Sequence, residues 1–235
     1  MLGLGSYISD HKGDRFDLSD VSGLVSWLQS GSGYTGTVGE AVSSWFDRTR
    51  HLSWSQGESS KRPTIVANGG LNFDGTDDAL DAGTQVSITT FHFFMVIDLE
   101  GATNETAIGV NGSSNFLRFN KGGNPNQMRY KFGSSSPTQI DATTSSNIPT
   151  GKFLFELSRT DAGSNNLTTI FDGSTVSTDT LDVAKDWIIR SIGAQSPTGS
   201  SAAEGIIYEV AIYDNVLTGD DLTSVRADIQ ARNGL

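Results

Sequence analysis

The chain has 235 residues, contains no cysteine, and carries 16 basic against 27 acidic residues, a formal net charge of −11 at pH 7. This length can bury a substantial core without cross-links, and the lack of cysteine excludes disulfides and thiolate metal sites. The excess of negative charge argues against nucleic-acid binding, and no apolar segment is long enough to span a bilayer.

Residues 1–22 are rich in glycine, serine and aspartate and are predicted to form an arm outside the core. Their start has neither the basic region nor the apolar stretch of a signal peptide, so we expect a protein made in the cytosol and not exported by the Sec route. Four apolar residues of this arm are candidates for contact with another subunit, the alternative being a disordered start. They are Leu2, Leu4, Tyr7 and Ile8.

Most of the remaining chain, residues 23–235, reads as β-strands joined by turn-rich segments, which predicts one all-β sandwich domain. Residues 91–99 nearly lose the alternation of apolar and polar positions, which predicts a central strand covered on both faces. The eleven predicted strands are 23–28, 42–46, 64–66, 70–73, 91–99, 116–120, 128–132, 152–158, 167–172, 186–193 and 206–214.

A short amphipathic helix is predicted to close the chain. Thr218 is a candidate N-cap, with Asp221 three residues later completing a capping box. Leu217 and Leu222 occupy the positions of a hydrophobic staple, and Gly234 follows the last apolar positions as a stop signal.

Three stretches in order resemble a known family. Residues 42–48 read Val-Ser-Ser-Trp-Phe-Asp-Arg, residues 73–80 read Phe-Asp-Gly-Thr-Asp-Asp-Ala-Leu, and residues 207–214 read Ile-Tyr-Glu-Val-Ala-Ile-Tyr-Asp. Together they resemble the laminin-G-like branch of the concanavalin A-like lectin/glucanase family. This resemblance implies a two-sheet antiparallel jelly roll with a short C-terminal helix.

The resemblance also raises calcium binding and glycoside hydrolysis. Members of the family often bind calcium through aspartates, and Asp74, Asp77 and Asp78 supply three carboxylates around one turn. The alternative is a structural Asp-Gly turn whose carboxylates cap backbone amides. The Glu-x-Asp-x-Glu strand of the best-known jelly-roll glucanases is absent, so we expect no enzymatic activity and no other cofactor.

Two further features suggest contact surfaces. A predicted hairpin concentrates basic side chains on one face, which fits an acidic partner or an anionic glycan, or else a solvated edge hairpin. These side chains are Arg118, Lys121, Arg129 and Lys131. Tyr34, in a glycine-rich loop over residues 29–39, is a candidate glycan-binding aromatic, whereas the four tryptophans lie within strand patterns or next to a predicted turn and are predicted to be core.

Three functions remain open. The favoured hypothesis is a non-enzymatic virion protein of a tailed phage that decorates the capsid or tail. It rests on the missing signal peptide, cysteines and catalytic acids, on the apolar residues of the arm, and on the opening Met-Leu-Gly-Leu-Gly, which resembles structural proteins of marine tailed phages. Its expected partners are other virion proteins, further copies of itself, and host-surface glycans. The second hypothesis is a carbohydrate-binding module outside a virion. The third is a glycosidase that uses Glu204 or Glu209.

Overall fold

The computed structural model describes residues 16–110, 115–133, 137–161, 163–182 and 185–235. Within these ranges the chain forms sixteen β-strands and one α-helix, and no helix there combines the length and apolarity needed to cross a bilayer. In chain order the elements are β1 (Leu24–Leu28), β2 (Ser44–Phe46), β3 (Ser53–Ser55), β4 (Thr64–Ile65), β5 (Leu71–Asp74), β6 (Leu80–Ile88), β7 (Phe91–Leu99), β8 (Glu105–Gly109), β9 (Phe116–Phe119), β10 (Gln127–Phe132), β11 (Thr138–Thr143), β12 (Phe153–Arg159), β13 (Leu167–Phe171), β14 (Ser174–Asp179), β15 (Trp187–Ile192), β16 (Glu204–Tyr213) and α1 (Gly219–Asn233).

The strands form two antiparallel sheets packed as a sandwich, as predicted. The first sheet has the order β14-β13-β12-β7-β16-β5-β4, with β1 also paired to β16. The second sheet has the order β11-β10-β9-β8-β15-β6-β3-β2. The main core lies between the sheets and is rich in aromatic contacts, such as the edge-on packing of Phe93 on Trp187 with ring centroids 5.3 Å apart.

β16 is the longest strand and organises the first sheet. It pairs with β7 along one edge, while β5 and β1 share its other edge. The register shifts between Ile207 and Glu209, so Tyr208 is an extra residue in the ladder. Because of this bulge, Tyr208 packs in the apolar cluster beneath α1 and the adjacent Glu209 also contacts that helix, whereas Ile207 and Val210 both face the main core.

The outer face of the first sheet is covered by α1 and by the segment that precedes β1. Val225 and Ile229 of α1 are fully buried there, and Leu18 is buried in the same cluster. The Tyr213 hydroxyl donates to the Leu18 carbonyl over 3.1 Å. Residues 16–22, which the sequence assigned to the arm, therefore pack on the sandwich. Leu2, Leu4, Tyr7 and Ile8 lie outside the described residues.

Two arginines of α1 bind carboxylates that are buried under the helix. Arg226 forms a bidentate contact with Glu156 of β12, at 2.7 and 2.8 Å, and Arg232 binds Glu209 at 2.6 Å. Burial opposes ionisation of Glu156, but hydrogen bonds from His92 and Arg226 outweigh it and lower the pKa of this carboxyl. The helix is thus held by ion pairs as well as by its apolar face.

The sequence predicted eleven of the sixteen strands, and the five others have weak apolar signals. β14 is built from serine, threonine and aspartate around one valine, and β6 is interrupted at Gly83, which has a φ of +74°. The remaining unpredicted strands are β3, β8 and β11.

The predicted capping box is wrong, because the Thr218 side chain makes no cap hydrogen bond. The predicted ends of α1 are confirmed: the helix begins directly after Thr218 and ends at Gly234, which has a left-handed conformation.

Replacing Arg226 with methionine should destabilise the protein strongly, because it leaves the Glu156 carboxylate buried without its main counter-charge. We expect the free energy of unfolding in urea to fall by about 3 kcal/mol. Arg129→Met is the matched control: Arg129 pairs with the exposed Asp141, and such surface pairs contribute roughly 0–1 kcal/mol. Equal losses for the two variants would contradict the anchoring role of Arg226.

Candidate functional site

A groove of about 420 Å³ lies beside the β2–β3 hairpin at the edge of the second sheet. It combines an aromatic ring, a guanidinium group and two serines, the mixture of apolar surface and polar groups found in small-ligand sites. Its lining comprises Ser44, Phe46, Arg50, Leu52 and Ser53, with the buried residues Trp45, Asp47 and Trp54 at its base.

Strand alternation explains why an aromatic side chain of this groove faces solvent. Trp45 of β2 is paired with Trp54 of β3, and both indoles are buried in the core. Phe46 follows Trp45 and therefore points to the opposite face, where 52% of it is exposed. Among the described residues, only Val38, Phe46 and Leu235 are exposed large apolar side chains.

The glycine-rich loop over residues 29–39 packs against β2 and supports the groove. The Phe46 amide donates to the Gly33 carbonyl over 2.6 Å, and the Trp45 indole donates to the Ser32 carbonyl over 2.9 Å. Gly33 has a φ of +86°, and a Cβ there would lie 2.7 Å from the Phe46 carbonyl oxygen, so only glycine fits. Tyr34 lies edge-on against Trp45, with ring centroids 5.9 Å apart, and is not among the lining residues.

The turn that follows β2 is fixed by Asp47. Its buried carboxylate accepts hydrogen bonds from the Ser26 hydroxyl, the Trp27 amide, and the amide and hydroxyl of Thr49. These bonds tie the turn to β1 in the other sheet. The turn then presents Arg50 to the groove with a φ of +61°.

The three predicted calcium ligands lie together at one end of the sandwich. Ligand oxygens of Asp74, Asp77 and Asp78 are within 4.8 Å of one another. The Asp74 carboxylate accepts hydrogen bonds from the amides of Thr76 and Asp77, and Asp78 accepts one from the Asp74 amide. The turn therefore has the backbone-capping role that was the alternative prediction.

These residues also fit a hard divalent cation. Calcium–oxygen distances of about 2.4 Å allow one ion to bridge oxygens up to about 4.8 Å apart. Burial, and then repulsion from Asp74, raises the pKa of Asp78 to about 6. A bound cation would relieve this repulsion, and Asp77 remains available because its carboxylate forms no hydrogen bond within the described part of the chain.

The loop over residues 193–203 packs closely on this acidic turn. A Cβ at Gly199 would lie 2.0 Å from the Asp77 carbonyl oxygen, so the backbones are in direct contact there. The Gln56 amide group donates to the carbonyls of Ala79 and Pro197 and ties the two segments together. The position of the three carboxylates is thus set by contacts from two neighbouring segments.

The basic hairpin is formed by β9 and β10, with Arg118 directly opposite Arg129 in the register. It is not an edge hairpin, because β11 pairs with β10 and forms the edge. Asp141 of β11 binds Arg129 at 2.6 Å and lies 3.5 Å from Lys121, which offsets part of the charge. Arg118 and Lys131 both lie over the Phe116 ring.

The carboxylates considered for hydrolysis have different surroundings. Glu209 is buried and accepts hydrogen bonds from Trp27, Arg232 and Asn233, so its role is structural. Glu204 is exposed, and its amide donates to the buried Glu105, whose pKa is raised by burial.

Comparisons with known proteins give the fold. No family model matches the sequence, and no curated protein matches it. Among solved structures, Trypanosoma rangeli sialidase in complex with sialic acid matches with a TM-score of 0.57 and 15% identity, over 90% of this chain and 34% of that chain. Domain 4 of AbnA, a GH43 extracellular arabinanase from Geobacillus stearothermophilus in complex with arabinotriose, matches with a TM-score of 0.57 and 14% identity, over 89% and 98% of the chains.

A structure of botulinum neurotoxin type C matches with a TM-score of 0.55 and 11% identity, over 91% of this chain and 53% of that chain. Cell entry of that toxin depends upon interaction with two ganglioside molecules. This chain spans about a third of the sialidase, 34% of its length. At these identities the likenesses establish a shared β-sandwich fold.

Asp78 should make stability depend on pH when divalent cations are removed. Its pKa is raised from 3.8 to about 6 on folding, so stability is lost as the pH rises through this interval. Asp78→Asn should remove this loss. In urea denaturation with chelator present, the free energy of unfolding of the variant should equal that of the parent below pH 4 and exceed it at neutral pH. Glu100→Gln, at an exposed acid, is the control. A pH-independent difference would contradict this assignment.

Calcium should raise the melting temperature through the same three carboxylates, because ligand binding to the folded state stabilises it. In about 5 mM calcium chloride, above the dissociation constants of weak calcium modules, the parent should melt at a higher temperature than in chelator. Asp77→Asn should lose this increase while keeping the hydrogen bonds of the turn. If calcium raises the melting temperature of parent and variant equally, calcium does not bind at these three carboxylates.

Proposed function

We propose that this chain is a non-enzymatic carbohydrate-binding module and that it binds sugar in the groove beside the β2–β3 hairpin. The observation that carries the proposal is the exposed ring of Phe46, held in a groove with polar side chains. The C–H face of a sugar ring packs on aromatic rings, and the hydroxyls at its rim bind polar groups. Ser44, Ser53 and Arg50 provide such groups here.

The rigidity of the groove supports this function. Trp45 and Trp54 fix the hairpin from the core side, and the Gly33 contact fixes the backbone of Phe46. A preformed site loses little conformational entropy on binding, which favours affinity for weakly interacting ligands such as sugars. Among the structural neighbours, domain 4 of AbnA is in complex with arabinotriose, and cell entry of botulinum neurotoxin type C depends upon gangliosides, which agrees with this proposal.

The absence of enzymatic activity is part of the proposal. Glycosidases of the usual type need two carboxyl groups on either side of the scissile bond. Within the described residues, the lining of the groove contains one carboxylate, Asp47, and that group is saturated by hydrogen bonds from β1 and Thr49. We therefore expect binding without turnover.

A virion role in a tailed phage stays a second proposal. It rests on the resemblance of the opening residues to phage structural proteins, and it is compatible with glycan binding because adhesive virion proteins contact host surfaces. The candidate arm residues Leu2, Leu4, Tyr7 and Ile8 would contact other virion proteins or further copies of the chain.

Replacing Phe46 with alanine should abolish most glycan binding without loss of stability. Ligands are first found on a glycan array and then measured by calorimetry, where we expect the dissociation constant to rise about tenfold, the loss expected for one aromatic contact. The melting temperature should stay unchanged because Phe46 is half exposed. Val38→Ala is the matched control, since Val38 is an exposed apolar residue outside the groove.

Two results would overturn the glycan proposal. One is the absence of any glycan ligand on the array with and without calcium. The other is a concentration-dependent dimer that Phe46→Ala converts to monomer, measured by sedimentation, because the exposed ring would then be a subunit contact.

The virion proposal is tested separately by mass spectrometry of purified particles from the virus that encodes this chain. A structural protein should be found at many copies per particle. Its absence from particles, together with its production during infection, would exclude this role and leave the binding module.

A further inference from the structure

We infer that the groove beside the β2–β3 hairpin selects a carboxylate-bearing sugar, with Arg50 binding the carboxylate while the sugar ring packs on Phe46. This inference rests on the proposed glycan binding and adds the class of ligand. Three features of the turn that follows β2 support it: the backbone conformation of Arg50, the distribution of charge, and the shape of the guanidinium group.

The backbone of Arg50 is in the left-handed region, with a φ of +61°. A residue other than glycine is strained in such a conformation, whereas glycine adopts it freely. The conformation is imposed by the turn, in which the Arg50 amide donates to the Asp47 carbonyl over 2.9 Å. The arginine therefore occupies a position where glycine would give a more stable protein, which points to a use for its side chain.

The charge of Arg50 is not neutralised within the described residues, where it forms no ion pair. The nearest acid in the sequence, Asp47, is buried and its carboxylate oxygens are bound to Ser26, Trp27 and Thr49. The turn also exposes Arg48 and His51. A positive turn on a chain of net charge −11 attracts an anion to this groove against the overall repulsion.

The chemistry of guanidinium selects the kind of anion. Its planar set of N–H donors matches the two oxygens of a carboxylate and binds them in a bidentate manner. Phe46 and Arg50 line the same groove, so one bound oligouronate can contact both groups. The ligand class that fits is an oligosaccharide of hexuronic acid, with its ring on Phe46 and its carboxylate on Arg50.

The test compares oligogalacturonate with its methyl ester, which keeps the sugar rings and removes the charge. By calorimetry, the parent should bind the acid form roughly tenfold to a hundredfold more tightly, the range for hydrogen bonds to a charged group. Arg50→Gly should abolish this difference and leave the melting temperature equal or higher. Arg48→Gln, which removes a charge from the same turn outside the groove, should keep most of the preference.

The outcomes separate this inference from the proposed function. If glycans bind and Phe46→Ala weakens them, but the acid and the ester bind equally, the carboxylate assignment is wrong and the module remains. Equal loss of preference in Arg48→Gln and Arg50→Gly would also overturn it, because general charge attraction would explain the result. Tighter binding of a polysaccharide that carries sulfate esters but no uronic acid would also overturn it, because the groove would then select a sulfate ester and not a carboxylate. If no glycan binds, both proposals fall.

Discussion

The two arginine–glutamate pairs beneath α1 are the interaction on which the arrangement of this sandwich depends. Glu156 and Glu209 are fully buried on the outer face of the first sheet, where an unpaired carboxylate would oppose folding. Arg226 and Arg232 reach them only if α1 lies across β12 and β16 in one orientation. Apolar contacts alone would allow the helix to slide, whereas the ion pairs fix its position.

This use of α1 gives the two sheets different roles. The middle of the first sheet is covered on both faces, by the core and by the helix, so β7 and β16 read as nearly continuous apolar runs. Within the described ranges no helix lies on the outer face of the second sheet, where the half-buried basic residues of β9 and β10 are found. The groove with Phe46 lies at the edge of this second sheet, where loops connect it to β1. The proposed binding groove thus lies where the exposed residue Phe46 is not needed for packing.

Much of the fold follows from local patterns in the sequence. The apolar run in β7, the alternation in β10 and the end of the chain predict a sandwich with a terminal helix, because each pattern reflects burial by neighbouring elements. β14 was not predicted, because its pairing with β13 compensates for a strand made mostly of serine and threonine. Residues 16–22 read as polar and loop-like, but Leu18 is buried by contacts with α1 that are distant in sequence.

The candidate site was less predictable. The sequence placed three aspartates in one turn, and the structure keeps them together because they are neighbours in the chain. The sequence predicts that Phe46 ends a strand and that Trp45 is core, and two adjacent residues of one strand face opposite sides. That alternation was the available signal. The positive φ of Arg50 is not evident from the sequence, because it belongs to the turn in which the Arg50 amide donates to the Asp47 carbonyl. The loop over residues 29–39 has a further consequence. The hydrogen bond from the Phe46 amide to the Gly33 carbonyl occupies part of the open edge of β2, so this edge strand is less available for pairing with a strand of another molecule.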